Sequence, residues 1–233
     1  MPSTIAISSM VANVPVMIAL TFGTYLLGVW CRDKSGIQLL HPLFICIPAI
    51  VAVLKVFDIP CDFYMEANRM VSFVLGPCVV ALGVKLYEHR RIVAENMTAI
   101  LSAVVVGSIV SVASVILIGR LCSLPSLMIL SLEPKSVTTP IAMDIVESLK
   151  GNPSLAAVTV VLSGFVGNVL GPAIMNLLHI KSPLARGAAL GCSSHGLGTA
   201  RAIEEGAVEG AVSGLCIALM GVATAFVVPI FNL

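Results

Sequence analysis

The stretch SLEPKSVTTPIAMDI, residues 131–145, interrupts a strongly apolar chain with an acid, a base, several hydroxyls and two prolines. The apolar residues 123–132 precede the interruption, and a helical pattern that ends near Gly151 follows it. Each part is about half of the roughly 20 residues that cross a bilayer. Non-helical backbone at that depth is tolerated only where protein or a water-filled cavity surrounds it. The stretch therefore predicts a helix that is broken inside the membrane, beside a functional cavity.

The residues at this break favour the binding of an anion. Pro140 suits the first position of a helix, and Thr139 suits the N-cap. A helix that begins there directs its partial positive charge and its free N–H groups into the cavity. The hydroxyls of Ser136, Thr138 and Thr139 can supply hydrogen bonds, and Lys135 can add a full charge.

An alternative interpretation places residues 131–140 in a loop at the membrane surface, with Glu133 and Lys135 in water. A second interruption, GCSSHGLGTARA at residues 191–202, favours the buried arrangement. Its candidate binding residues, which precede another short helix, are Ser193, Ser194, His195 and Thr199. Because the two interruptions flank one apolar span, residues 153–178, they can meet at a common site.

Five further polar residues are candidates for ion coupling or for support of the site: Glu133, Asp144, Asn168, Arg201 and Glu204. Asp144 and Glu204 follow the predicted helix starts, where an acid stabilises the first turns. Asn168 lies inside a span, where a bond to another helix is the simpler role. Arg201 either reaches the cavity or extends to the interface. His195 is either a structural histidine or a proton carrier or anion ligand.

The composition excludes a soluble protein. The 233 residues are 58% hydrophobic and 11% charged, against about 25% charged in soluble domains, and the mean hydropathy is +1.05. The net charge of +1 and the absence of a basic stripe give no indication of a nucleic-acid partner. The seven cysteines form no CxxC pair and share no ligand spacing with the histidines, so we expect no metal and no cofactor.

The apolar runs predict an all-α polytopic membrane protein with about seven or eight crossings, some of which re-entrant hairpins can replace. Continuous runs cover residues 5–30, 38–57, 96–118, 153–178 and 208–231, and interrupted ones cover 70–87, 123–150 and 184–205. We expect residues 1–69 to form a scaffold and residues 70–233 to form a transport core. Arg32, Lys34, Arg90 and Arg91 place the first and third loops in the cytoplasm and the N-terminus outside.

A spacing of 57 residues suggests internal repeats. Gly107, Gly164 and Gly221 lie inside spans at that interval, and Pro77, Pro134 and Gly191 lie in interrupted segments at the same interval. The units 75–117, 132–174 and 189–231 are therefore expected to share one layout, a broken segment followed by a helix. Repeats with interrupted segments in corresponding positions are typical of transporters, whose binding sites lie at those interruptions.

Four motifs resemble the LrgB/CidB family of bacterial membrane proteins, which includes the plastidal glycolate/glycerate translocator of plants. They are LGPCVVALGVKLY at 75–87, PKSVTTPIAMDI at 134–145, GPAIMNLL at 171–178 and HGLGTARAIEEGAVEGAVSGL at 195–215. The resemblance covers roughly residues 10–231. The first motif departs from the family at Cys78 and Gly83-Val84, where the family tends towards alanine, threonine and proline.

The resemblance implies two functions. One is transport of small 2-hydroxy or 2-oxo monocarboxylates such as glycolate, glycerate or pyruvate, which the broken helices favour and which can be proton-coupled. The other is antiholin-like control of murein hydrolase activity and lysis, together with a small holin-like LrgA/CidA-type partner. Neither function makes the protein an enzyme. Since no charged segment precedes the first apolar run, we expect that run to span a bacterial inner membrane, surrounded by lipid. Because the first two spans lack the polar features of the later ones, we expect residues 1–57 to form a homodimer.

Overall fold

The structure, a computed structural model, describes residues 13–35 and 42–232, and every regular element within them is an α-helix. The predicted first and second spans begin at residues 5 and 38, so residues 5–12 and 38–41 of these predictions lie outside the described residues. The chain divides into two compact units, residues 1–79 and 80–233. The division is ten residues later than the boundary between scaffold and core that the sequence suggests.

The described residues of the first unit form four helices and the start of a fifth. They are α1 (Val14–Ser35), α2 (Leu43–Val56), α3 (Cys61–Ala67), α4 (Arg69–Phe73) and α5 (Leu75–Glu88). A polar cluster joins α1 to α3 and to the residue that follows α3. The Thr21 hydroxyl lies 2.8 Å from the Tyr64 hydroxyl and donates to Asn68 Oδ1 at 2.9 Å. These bonds satisfy polar groups inside an otherwise apolar unit.

The second unit continues α5 and adds seven helices. They are α6 (Arg90–Glu95), α7 (Met97–Leu121), α8 (Ser126–Leu132), α9 (Thr139–Ser148), α10 (Pro153–Leu177), α11 (Pro183–Glu205) and α12 (Ala207–Phe231). Four helices of the described chain, α1, α7, α10 and α12, are long and apolar enough to cross a membrane. The protein is therefore an all-α polytopic membrane protein.

The three long helices of the second unit define two ends of a bundle. Helices α7 and α12 run parallel, since Ser108 bonds Thr224 at 3.2 Å and Val112 packs with Val228. Helix α10 runs antiparallel to both. The end of the bundle where α7 and α12 begin is called the near end. The end where α7 and α12 finish is called the far end.

Helix α11 is folded back on itself and forms a hairpin, residues 183–205. Arg186 near its start makes two bonds to Glu205 at its end, with Nε to Oε2 at 2.7 Å and Nη2 to Oε1 at 3.0 Å. An unbroken helix would hold these residues about 28 Å apart. The reversal occurs at Ser194 and His195, whose φ/ψ angles are −136°/15° and 42°/−132°. Both arms therefore enter from the near end, and the tip lies inside the bundle.

Helices α8 and α9, with the non-helical residues 133–138 between them, form a second hairpin, residues 126–148, from the far end. Ser131 Oγ accepts a bond at 2.9 Å from the backbone N–H of Asn152, so the chain leaves and returns at one place. Residue Val137 lies at the tip, 1% exposed, in the core cluster that also contains Val104 and Val160. We name these segments the far hairpin (126–148) and the near hairpin (183–205).

The two hairpins account for two of the three predicted interruptions and reduce the number of crossings. Residues 123–150 and 184–205 return to the end from which they started, so neither segment crosses. The far hairpin with α10 and the near hairpin with α12 share one layout, a hairpin followed by a 25-residue helix. The unit 75–117 does not share it, because its first segment is the continuous helix α5. Because each copy crosses once, consecutive copies are inverted. Equal depths of Gly107, Gly164 and Gly221 stay a prediction.

The structure corrects two local expectations. Helix α5 runs without a break through Gly76 and Pro77, because Pro77 lies in its first turn, where the missing N–H leaves no bond unmade. Helix α9 begins one residue early, with Thr138 at the N-cap and Pro140 in the first turn, and Thr138 makes no side-chain capping bond.

We expect Glu205→Gln to lower stability by about 2 kcal/mol, because it removes the charge that Arg186 binds across the two arms of the near hairpin. Thermal unfolding of the purified protein in detergent measures this. Glu204→Gln is the matched control, since the Glu204 side chain is 62% exposed. Equal unfolding temperatures for the two variants would contradict this role of Glu205.

Candidate functional site

The two hairpin tips meet at an open cavity of about 850 Å³ in the second unit. The far hairpin contributes Lys135 and Ser136, and the near hairpin contributes Ala185, Ala188, Ala189, Cys192, Ser193 and Ser194. Two long helices form the remaining walls. Their lining residues on α7 are Ala103, Gly107, Val110, Ser111 and Ser114, and those on α10 are Thr159, Leu162, Ser163, Val166 and Gly167. The volume lies within the range of small-molecule sites.

Lys135 supplies the full charge of this cavity. Its ammonium donates to Ser111 Oγ at 3.0 Å and to Ser136 Oγ at 3.3 Å, and the two hydroxyls lie 2.9 Å from each other. Among the described residues no carboxylate forms an ion pair with Lys135. A half-buried cation without a counter-ion attracts an anion to the space in front of it.

The near hairpin presents hydroxyls to the same cavity. Ser193 is exposed to it, and the Ser193 and Ser194 hydroxyls lie 2.8 Å apart. The Ser163 hydroxyl of α10 donates to the backbone carbonyl of Ser193 at 3.4 Å. The cavity therefore combines one ammonium group with hydroxyls that both donate and accept, which suits a small anion that itself carries a hydroxyl or oxo group.

Three polar residues hold the near hairpin and lie outside the cavity lining. The ring N–H of His195 donates to the carbonyl of Val160 at 2.9 Å, since a carbonyl can only accept. Asn168 Nδ2 donates to the carbonyl of Leu197 at 2.8 Å. The hydroxyls of Thr199 and Ser213 lie 2.7 Å apart, both buried. These bonds attach the tip and the returning arm to α10 and α12.

Small residues on α10 make room for the tip. A Cβ atom at Gly164 would overlap the His195 ring, one at Gly167 would overlap the Ser194 hydroxyl, and one at Gly171 would lie 3.0 Å from Leu190. The glycine-rich sequence 163–171 therefore packs against the near hairpin of its own chain. It does so by letting backbones approach closely, as small residues do in membrane helices.

The remaining candidates from the sequence do not line the cavity. Thr138 and Thr139 are half-buried at the start of α9. Asp144 is exposed, and Glu204 is exposed and bonded to Arg201 at 2.9 Å, at the near end. Glu133 is 2% exposed and lies at the far end.

The sequence analysis missed the cavity residues on the long helices. Gly107, Ser111 and Ser114 follow at intervals of four and three residues on α7, and Thr159, Ser163 and Gly167 follow at intervals of four on α10. Such spacing places each set on one helix face. A search for small and hydroxyl residues at helical spacing inside apolar spans could have found both faces.

Comparisons with known proteins relate the chain to one family. The model of the LrgB-like family matches residues 21–233. YxaC of Bacillus subtilis (strain 168) is 34% identical over 92% of this chain and 94% of its own length. The antiholin-like protein LrgB of Bacillus mycoides (strain KBAB4) and that of Bacillus cereus (strain B4264) are each 34% identical, over 92% of both chains. No solved structure matches.

We expect Gly167→Ala to lower stability by about 1–3 kcal/mol, because the new methyl group overlaps Ser194 at the hairpin tip. The unfolding temperature in detergent should fall. Gly23→Ala in α1 is the matched control, because a Cβ atom there meets nothing within 4 Å. If Gly167→Ala unfolds at the control's temperature, the tip does not pack against α10 as described.

Proposed function

The chain belongs to the LrgB-like family, and we propose that it is a membrane transporter for small 2-hydroxy or 2-oxo monocarboxylates such as glycolate, glycerate or pyruvate. One observation carries this proposal. Lys135, which among the described residues has no carboxylate partner, lies at the wall of a cavity between two oppositely directed hairpins. A regulator that transports no substrate does not need a positive charge in a cavity, whereas an anion transporter does.

The cavity offers a separate group for each part of such a substrate. The carboxylate pairs with the Lys135 ammonium and accepts from Ser111 or Ser136. The hydroxyl or oxo group at the neighbouring carbon faces Ser193 and Ser163 across the cavity. Because the apolar walls include Val110, Leu162 and Val166, a second charge on the substrate would lack a partner. This favours monocarboxylates over dicarboxylates.

The distribution of basic residues supports an orientation for the second unit. The near end carries Arg90, Arg91, Lys181, Arg186 and Arg201, and the far end carries Arg120 and Lys150. The excess of positive charge favours a cytoplasmic near end in the bacterial inner membrane. The near hairpin then enters from the cytoplasm and the far hairpin from outside, as in transporters built from inverted repeats.

We expect Lys135→Gln to weaken substrate binding roughly tenfold to a hundredfold, since one bond to a charged group is worth about 1.5–3 kcal/mol. Uptake of labelled pyruvate, glycolate and lactate into proteoliposomes of the purified protein measures the concentration dependence. Ser193→Ala should weaken substrate binding less than Lys135→Gln does, because it removes only a hydrogen bond between neutral groups and the substrate.

The matched controls are Lys181→Gln and Ser102→Ala, both exposed and outside the cavity. They should leave uptake unchanged. If wild-type protein transports none of the three acids, the function is not as proposed. If uptake by Lys135→Gln and by Lys181→Gln has the same concentration dependence, the site is not as proposed.

A second candidate function follows from the names of the relatives, which are called antiholin-like. In this account the chain regulates murein hydrolase activity and lysis with a small holin-like LrgA/CidA-type membrane protein. The two accounts share the membrane location and differ in whether the cavity is needed. A homodimer through residues 1–57 is compatible with both and stays a prediction.

If the antiholin-like account holds, expression with a small holin-like LrgA/CidA-type protein should change murein hydrolase activity and the rate of autolysis. Lys135→Gln should leave this effect intact, because contact between membrane helices does not require a charge in a cavity. Zymography and lysis curves of cells that carry wild-type or variant chain measure it. Loss of the effect in Lys135→Gln would instead link lysis control to transport.

A further inference from the structure

Glu133 is a buried acid that the proposed site does not use. Its side chain is 2% exposed, although carboxylates in membrane proteins are costly unless paired. It lies on the same non-helical segment as Lys135, two residues before it, at the point where the far hairpin leaves α8. A change that moves one of these side chains therefore also moves the other.

The polar partner of Glu133 is Asn232, at the end of α12. The Asn232 side-chain amide donates to Glu133 Oε2 at 2.6 Å and to the carbonyl of Val228 at 2.9 Å. The bond to Val228 fixes the amide, so a single prearranged N–H faces the carboxyl group. One neutral donor is much less than a buried carboxylate needs, since ionised carboxylates accept several bonds when they are stable inside proteins.

In the part of the chain that the structure describes, no basic side chain pairs with the Glu133 carboxylate. The charged groups on the elements around Glu133 are Arg120 on α7, Lys135 on its own segment, Asp144 and Glu147 on α9, and Lys150 after α9. Within the described residues none of them forms an ion pair with Glu133. Helices α8 and α10 carry no charged residue, and the single charge on α12, Glu209, lies at the near end.

We propose that Glu133 is the proton-binding residue of the transporter, and that its protonation stabilises the packed far hairpin seen here. The neutral carboxyl group is compatible with its burial and with the bond from Asn232, whereas the carboxylate requires water. Deprotonation therefore favours movement of the segment away from α12. This inference rests on the proposed transport function, and it identifies the proton as the ion that is coupled to transport.

The position of Glu133 gives the direction of coupling. Asn232 is exposed at the far end and separates Glu133 from solvent, and the far end is the proposed outer side. The carboxylate takes a proton from hydronium outside and leaves water behind, and the substrate anion pairs with Lys135. Both events favour the same conformation of one segment, which is the requirement for coupling. The carboxyl group returns its proton to water on the inner side after the substrate leaves.

Glu133→Gln separates exchange of substrate from net proton-driven uptake. The amide mimics the neutral carboxyl group but cannot release a proton, so the empty carrier cannot reset. In proteoliposomes we expect exchange of labelled for unlabelled pyruvate within threefold of wild type and net uptake driven by a pH gradient reduced at least tenfold. Wild-type uptake should fall as external pH rises, approaching about tenfold per unit for one proton, and this dependence should be lost in the variant.

Glu147→Gln is the matched control, an exposed acid on α9, and should behave as wild type. Pyruvate-driven alkalinisation of the external medium, recorded with a pH dye, should occur with wild type and Glu147→Gln and not with Glu133→Gln. Three results would overturn the proposal. Glu133→Gln could show proton-driven uptake at the wild-type rate, or it could lose both exchange and net uptake. The third is uptake by the wild-type protein that a sodium gradient drives instead of a pH gradient. If wild-type protein neither exchanges nor takes up pyruvate, glycolate or lactate, the transport function itself fails.

Discussion

Inside a membrane every backbone N–H and C=O that leaves a helix must find a partner in the protein or in a water-filled cavity, because the lipid offers none. The second unit has two such places, residues 133–138 and the turn at Ser194 and His195. Turn bonds satisfy part of the first break, where the N–H of Lys135 donates to the carbonyl of Leu132 and that of Val137 to the carbonyl of Pro134. Beside the second break, the Ser163 hydroxyl donates to the carbonyl of Ser193. Lys135 and Ser136 of the first break and Ser194 of the second border the same open cavity.

Close packing on α10 makes room for the turn of the near hairpin. The near hairpin contacts three glycines of this helix, and the ring of His195 lies where a Cβ atom of Gly164 would be. Lys135 lines the open cavity beside this contact. A cation at this depth is unfavourable without compensation. Three hydroxyl and ammonium contacts supply part of the compensation, and an anion in the cavity can supply the rest.

Inversion of the two hairpin units has a simple origin. Each unit contains a hairpin, which returns to its own end, and one long helix, which crosses. A single crossing per unit reverses the next copy, so two similar sequences approach the centre of the bundle from opposite ends. The arrangement places two hydroxyl-bearing tips together, Ser136 from one side and Ser193 from the other. In the proposed transport function, two similar elements of this kind exchange roles as the cavity opens to one end or the other.

The sequence by itself determined the membrane class, the family resemblance and two of the three predicted interruptions, because apolar composition and proline or glycine at a break act locally. The third, at residues 70–87, was wrong, since α5 is continuous there. It also identified Lys135, Ser136, Ser193 and Ser194, which do line the cavity. The tertiary structure decided which of the other polar residues join them. Thr199 and His195 bond neighbouring helices, and Ser111 and Ser163 enter the wall, because orientation around a helix depends on its packing partners. The fold also decided that the interrupted segments return instead of crossing, since only the Arg186–Glu205 and Ser131–Asn152 contacts, between residues far apart in sequence, reveal the reversal.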